Sequence, residues 1–234
     1  MTLLLIALGL LPSFAWLIFY LREDLHPEPK RLILLTFIVG GLFAFIALIF
    51  QNIFSCLYVS ALGLRCSREL TSGLITTVPA FIVTFASFEE VVKFAAAYIV
   101  VRRSRFFDEP VDAMIYTTTA ALGFAAVENL GAVFQASSTA FIGGVLTLII
   151  LRLVGATLLH TISSATAGYY WSLSIREFGA KKFIFWGLII ATTLHALFNY
   201  LILKFGRVTY AIVFLIIAAF FVLNDFEKLK RRKL

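Results

Sequence analysis

Two glutamates and a lysine, Glu89, Glu90 and Lys93, lie within about one helical turn of an otherwise apolar stretch. An ionisable side chain at membrane depth costs at least about 2.5 kcal/mol, so three in one turn indicate a function. Glu89 and Lys93 are four residues apart and share a helix face, so we expect the lysine to keep a carboxylate ionised without water. This arrangement predicts a general base inside a bilayer.

A second set of polar residues lies in other apolar stretches and comprises Glu128, Asn129, Arg152, His160, His195 and Asn199. We compared their depths by counting from the cytoplasmic end of each span at about 1.5 Å per residue. Glu89, Glu128 and both histidines then lie about 18–25 Å deep. A hydrocarbon core of about 30 Å would hold all four at one level, slightly toward the outer leaflet.

Carboxylates, imidazoles and an amide at one level suit the attack of water on a carbonyl group. Glu89 would take the proton from water, and Glu90 and Lys93 would tune the pKa of Glu89. His195 and Asn199 would donate hydrogen bonds to the oxyanion. Alternatively, Zn²⁺ would be held by a glutamate and two histidines, with water as the fourth ligand: Glu128, His160 and His195. The sequence has no HExxH motif and no Gly-Xaa-Ser-Xaa-Gly elbow. Hydrolysis is therefore predicted, and the metal question stays open.

Each of these residues also has a structural interpretation. The charges at Glu89, Glu90 and Lys93 could form an ion pair that pins two helices. His160 could hydrogen-bond a neighbouring helix, and His195 with Asn199 could form a local pair. Arg152 is expected to be the partner of an acid. Together, the residues favour a catalytic site over a set of separate structural contacts.

The chain has 234 residues, of which 61% are hydrophobic, and this composition predicts an all-α, polytopic membrane protein of a single domain, residues 1–234. The fifth apolar run is too long for one straight crossing, so we expect a break at Gly143-Gly144 or Gly155, or a strong tilt. Hydropathy marks seven spans, at about 2–21, 31–54, 74–101, 111–135, 140–173, 182–203 and 208–224.

The net charge of +7 does not indicate nucleic acid, because the basic residues lie mainly in loops and at the C-terminus. Fourteen Lys and Arg residues fall on one side of the predicted spans and four on the other, which places the N-terminus outside and the C-terminus in the cytoplasm. The basic tail then contacts anionic lipid headgroups. Cys56 and Cys66 lie on the outer side, where either a disulfide or two unpaired thiols would be stable.

These residues resemble the PrsW family of intramembrane proteases, which is distantly related to the CAAX prenyl proteases and their bacterial relatives. The resemblance covers about residues 20 to 200 and continues through His160, His195 and Asn199. Its motifs are Pro27-Glu28-Pro29, Glu89-Glu90-Val91-Val92-Lys93, Phe107-Asp108-Glu109-Pro110-Val111-Asp112 and Gly123-Phe124-Ala125-Ala126-Val127-Glu128-Asn129.

The resemblance implies a CAAX-protease-like helical core in a prokaryotic cell membrane. It also implies that Glu89 and Glu90 are catalytic acids in a site completed by Glu128, His160 and His195. The substrate would be a single-pass membrane protein such as an anti-sigma factor, cut first on its outer side. Some relatives carry an acid where this chain has Asn199, which weakens a metal role for that position. The family has been described both as metal-dependent and as glutamate-type.

Three other functions fit parts of the pattern. Acids and histidines in the middle of the membrane also form proton relays in proton-coupled transporters, although the sequence lacks the internal repeats common in that class. A non-catalytic protein that binds membrane helices would tolerate Glu89→Gln. Cleavage of prenylated peptides is a third alternative. In that class the Glu-Glu motif usually ends in an arginine one position after the place of Lys93, where this chain has Phe94.

Overall fold

A computed structural model describes residues 2–67, 70–71, 73–74, 78–138, 142–176, 180–206 and 208–230 of the chain. These residues form mainly α-helices, and the described part contains no strand. The helices are α1 (Thr2–Leu21), α2 (Lys30–Ala61), α3 (Pro79–Val101), α4 (Asp112–Ser137), α5 (Ile142–Val154), α6 (Ala156–Arg176), α7 (Lys182–Phe205) and α8 (Val208–Lys230).

The helices match the predicted spans, with α5 and α6 together forming the fifth. That span is broken at Gly155, where α5 ends and α6 begins, as the sequence allowed. Five helical segments are long and apolar enough to cross a membrane: α1, α2, the α5–α6 pair, α7 and α8. The other two, α3 and α4, carry Glu89, Glu90, Lys93 and Glu128 in place of aliphatic side chains. The protein is a multi-pass, all-helical membrane protein.

Helix α4 is the centre of the bundle and contacts α1, α2, α3, α5 and α6. Its closest neighbour is α2, because glycines allow the two backbones to approach. A Cβ atom on Gly40 would overlap the carbonyl oxygen of Ala120, and one on Gly123 would overlap that of Phe37. Small residues at such crossings are typical of helices packed in membranes, where there is no hydrophobic force between them. The outward face of α2 presents large aliphatic residues, such as Leu42 and Ile49, as expected for contact with lipid.

Four helices, α3, α4, α6 and α7, carry the predicted polar residues: α3 contacts the other three, and α6 contacts both α4 and α7. At the end of α2, a disulfide joins Cys56 to Cys66. The sequence left this pairing open, and the structure forms the bridge.

Candidate active site

The three ionisable residues of α3 point in different directions. Lys93 is fully buried and forms an ion pair with Glu90, its Nζ atom lying 2.5 Å from Oε1. Lys93 therefore pairs with one of the two carboxylates, as expected, but the partner is Glu90 and not Glu89. Residues three and four apart are both neighbours on a helix. Lys93 follows Glu90 toward α6, whereas Glu89 faces Gln51 of α2 and His195 of α7.

Glu90 is 1% exposed, and donors from three helices surround its carboxylate. Besides Lys93, Ser163 donates to Oε1 at 2.9 Å and Ser164 to Oε2 at 3.5 Å. The Nδ1 atom of His195 lies 2.6 Å from Oε1. A buried carboxylate with this many charge-assisted partners is held rigidly and has little room to react with a substrate.

His160 lies between a cation and an anion. Its Nδ1 atom is 3.0 Å from Nζ of Lys93, and its Nε2 atom is 2.9 Å from Oε2 of Glu128. Because an ammonium group only donates hydrogen bonds, Nδ1 must accept, and Nε2 then carries the proton that is donated to Glu128. The network thereby fixes one neutral tautomer of the imidazole.

Arg152 is a partner of acid and amide groups, as its structural interpretation predicted. Its Nη2 atom lies 3.3 Å from Oε2 of Glu128, and its Nε atom donates to Oδ1 of Asn129. Asn129 in turn donates to Thr157 at 3.1 Å. The Glu128 side chain is still 28% exposed, so its carboxylate is both positioned and accessible.

Glu89 is the glutamate of this group without a lysine or arginine partner in the described part of the chain. Gln51 donates to its Oε1 atom at 2.7 Å, and Nε2 of His195 lies 3.6 Å from its Oε2 atom. The rings of His160 and His195 meet edge to face with their centroids 5.1 Å apart. Glu89, His160 and His195 each offer a ligand atom within 4.8 Å of the other two. These three residues form a candidate metal-binding set, which differs from the expected one.

The expected ligand set contained Glu128 in place of Glu89. In the structure Glu128 contacts His160 and Arg152 but does not belong to the set of three. Glu89 belongs to the set instead, and its Oε2 atom faces Nε2 of His195, the imidazole whose Nδ1 atom contacts Glu90.

The chemistry of the donor set fits a zinc-class ion. Two imidazoles and a carboxylate leave a fourth position open, as in hydrolytic zinc sites. His195 already has the required orientation, because its Nδ1 atom bonds Glu90 and its Nε2 atom faces Glu89. Such a carboxylate–histidine contact fixes the tautomer of a metal ligand. His160 would have to exchange one of its two present partners, Lys93 or Glu128, for the ion.

Asn199 is half-buried one turn after His195, and the structure gives it no hydrogen bond to the site's described carboxylates or imidazoles. Sequence reasoning missed the role of Gln51, although a Gln-Asn pair within the apolar α2 is a detectable signal. The sequence analysis also gives no role to Ser163 and Ser164, whereas both donate hydrogen bonds to Glu90.

Comparison with known proteins identifies one family. Residues 28–224 match the family model described as PrsW family intramembrane metalloprotease. The chain is 27% identical to "Protease PrsW" of Geobacillus kaustophilus over 205 residues, covering 87% of this chain and 81% of that protein. It is 24% identical to "Protease PrsW" of Bacillus subtilis over 233 residues, covering 95% and 94% of the two chains. No solved structure matches the chain.

Proposed function

Since the chain belongs to the PrsW family and is an intramembrane protease, we propose that it cuts a single-pass membrane protein at the site around Glu89. The observation that carries this proposal is the set of Glu89, His160 and His195, which brings together three helices and contains an acid with no lysine or arginine partner among the described residues. A buried carboxylate without compensation is costly, so the site favours an additional positive charge.

We propose that Glu89, His160 and His195 hold a zinc-class ion. When bound there, the ion supplies Lewis-acid activation of water and of the substrate carbonyl. The rival glutamate-type chemistry would use Glu89 as a general base without metal. The family description as a metalloprotease and the two imidazoles beside Glu89 support the metal-type assignment.

The remaining residues have separate roles in this proposal. Glu128 is the accessible carboxylate and takes the proton of the attacking water, while Arg152 holds it in place. Glu90 and Lys93 are positioning residues, because they bind the imidazoles of His195 and His160 but are themselves shielded from the reaction. Asn199, one turn after His195, is left to donate to the oxyanion.

The substrate would enter through a groove of about 280 Å³ between α3 and α7. Ile82 and Ala196 line this groove and contact Ala86, one turn before Glu90 on α3. The groove extends to Pro79 and Tyr200, at the ends of the helices that the charge distribution places outside. This position supports a first cut on the outer side of a single-pass protein of the anti-sigma-factor type.

The test is cleavage of a co-expressed single-pass helix by the full-length protein, with each variant also purified for measurement of its zinc content. Glu89→Gln should abolish cleavage and lower the zinc content. Glu109→Gln is the matched control, because Glu109 is an acid in a loop, outside the set. If the active wild type contains no zinc and Glu89→Gln lacks activity, glutamate-type chemistry is correct. If Glu89→Gln cleaves normally, the proposed site is wrong.

A further inference from the structure

A second group of acids lies outside the site described above. Glu28 precedes α2, Asp108 lies in the loop before α4, and Asp112 is the first residue of α4. Each offers an oxygen atom within 4.8 Å of the other two. Asp112 and Glu128 are sixteen residues apart on α4, which separates the two sites by about 24 Å along that helix. The sequence motifs that contain these acids have no role in the proposed hydrolysis.

The buried member of this group has an oxygen atom without a partner. Asp112 is 1% exposed, and its Oδ2 atom accepts hydrogen bonds from the backbone N–H groups of Asp108 at 2.9 Å and Glu109 at 2.7 Å. Its Oδ1 atom has no lysine, arginine, hydroxyl or backbone donor among the described residues, and the neighbouring group is the carboxyl group of Glu28. Buried carboxylate oxygens are almost always bonded, so an unpartnered one next to two further carboxylates requires an explanation.

No lysine or arginine in the described part of the chain forms an ion pair with Glu28, Asp108 or Asp112. The neighbouring Glu109 is paired with His26 at 2.8 Å. Glu28 instead accepts a hydrogen bond from the hydroxyl group of Tyr116. Burial raises the pKa of the Glu28 carboxyl group, because water is withdrawn from it. Three carboxylates at such separations repel one another unless a cation lies between them.

We propose that Glu28, Asp108 and Asp112 bind a hard divalent cation of the Mg²⁺ or Ca²⁺ type. All the available donors are oxygen atoms, which hard cations prefer, and the group contains no histidine or cysteine. Asp108 is exposed, so the ion keeps part of its water shell, as Mg²⁺ usually does. The bound ion ties the segment between α1 and α2 to the start of α4 and is independent of the proposed proteolysis.

The experiment uses the full-length protein, purified in detergent and stripped of metal with EDTA. Thermal unfolding is then followed by tryptophan fluorescence during titration with MgCl₂ or with CaCl₂. We expect the melting temperature to rise with the logarithm of the ion concentration above Kd, by about 5–10 °C at about 100 Kd. The Asp112→Asn and Asp108→Asn variants should lose this rise. Glu109→Gln should keep it, since Glu109 is outside the group.

Two further measurements make the test decisive. Terbium, an analogue of these cations, should bind the wild type and give luminescence sensitised by Tyr116, and Asp108→Asn should reduce that signal. Glu89→Gln should respond to MgCl₂ or CaCl₂ as the wild type does, which separates this site from the proposed zinc site. A wild type whose melting temperature does not rise with the ion, or Asp108 and Asp112 variants that rise equally with it, would overturn the proposal. The acids would then share protons instead.

Discussion

The Nδ1 atom of His195 lies 2.6 Å from Oε1 of Glu90, and this contact turns its Nε2 atom toward the neighbouring Glu89. The two adjacent glutamates of α3 therefore act on one imidazole from two sides. Glu90 is the shielded acid that orients the ring, and Glu89 is the acid left facing it. Duplicated acids in the sequence thus have different environments in the fold.

The buried ion pair between Glu90 and Lys93 should be strongly coupled. Glu90→Gln leaves the fully buried Lys93 without its anion, and we expect it to lower the free energy of unfolding by about 3–5 kcal/mol. The double variant Glu90→Gln/Lys93→Met should lose at least about 1 kcal/mol less than the sum of the two single variants. Unfolding in detergent, monitored by tryptophan fluorescence, measures both quantities.

A pair with the same spacing on α8 is the control. Lys228 and Asp225 are also three residues apart, but the lysine side chain is 55% exposed. Asp225→Asn should therefore change the free energy of unfolding by only about 0–1 kcal/mol. Strictly additive losses at Glu90 and Lys93 would show that the buried pair does not contribute as a unit.

Gln51 should support Glu89 as a metal ligand. Its side-chain amide donates to Oε1 of Glu89, and loss of such a supporting hydrogen bond typically lowers metal affinity about 10–100-fold. Gln51→Leu should show this loss in a zinc competition assay. Asn52→Leu is the matched control, because Asn52 is exposed and bonds only the carbonyl oxygen of Leu48, one turn earlier. Equal zinc affinity in the two variants would contradict a supporting role for Gln51.

Glu128 should be needed for turnover but not for metal binding. Because Glu128 is the proposed general base, the Glu128→Gln variant should have a kcat lowered by about 10²–10⁴-fold. Zinc content should remain at about one ion per chain when zinc is in excess during purification. Arg152→Met should have a smaller effect on kcat, about tenfold, because it removes only the group that holds Glu128. A Glu128→Gln variant that loses its zinc would instead make Glu128 a ligand.

The contact between α2 and α4 should not tolerate a methyl group. Gly123→Ala places a Cβ atom against the carbonyl oxygen of Phe37, and the backbones must separate. We expect a loss of about 1–3 kcal/mol in the free energy of unfolding. At Gly131, on the same helix, a Cβ atom would meet nothing within 4 Å. Gly131→Ala should therefore be neutral or stabilising by up to about 1 kcal/mol, so equal losses would exclude packing as the cause.

The sequence by itself determined the class of the protein and the polar residues of the site. Long apolar runs can satisfy their backbone hydrogen bonds in lipid only as helices, so the spans follow from local composition. The sequence left the fifth span open between a break at Gly143-Gly144, a break at Gly155 and a tilt, and the structure has the break at Gly155. Polar residues such as Glu128 and His160 are detectable in those runs because each is costly there. Their equal depth in the predicted helices was sufficient to predict that these polar residues lie close together.

Only the tertiary structure decided which acid faces which partner. Helical spacing allows Lys93 to reach either Glu89 or Glu90, and the choice of Glu90 depends on Ser163 and His195 from two other helices. The tertiary structure likewise decided that the candidate metal set contains Glu89, where the sequence predicted Glu128. Depth along a helix does not determine the rotation of that helix about its axis, and rotation decides the direction of each side chain.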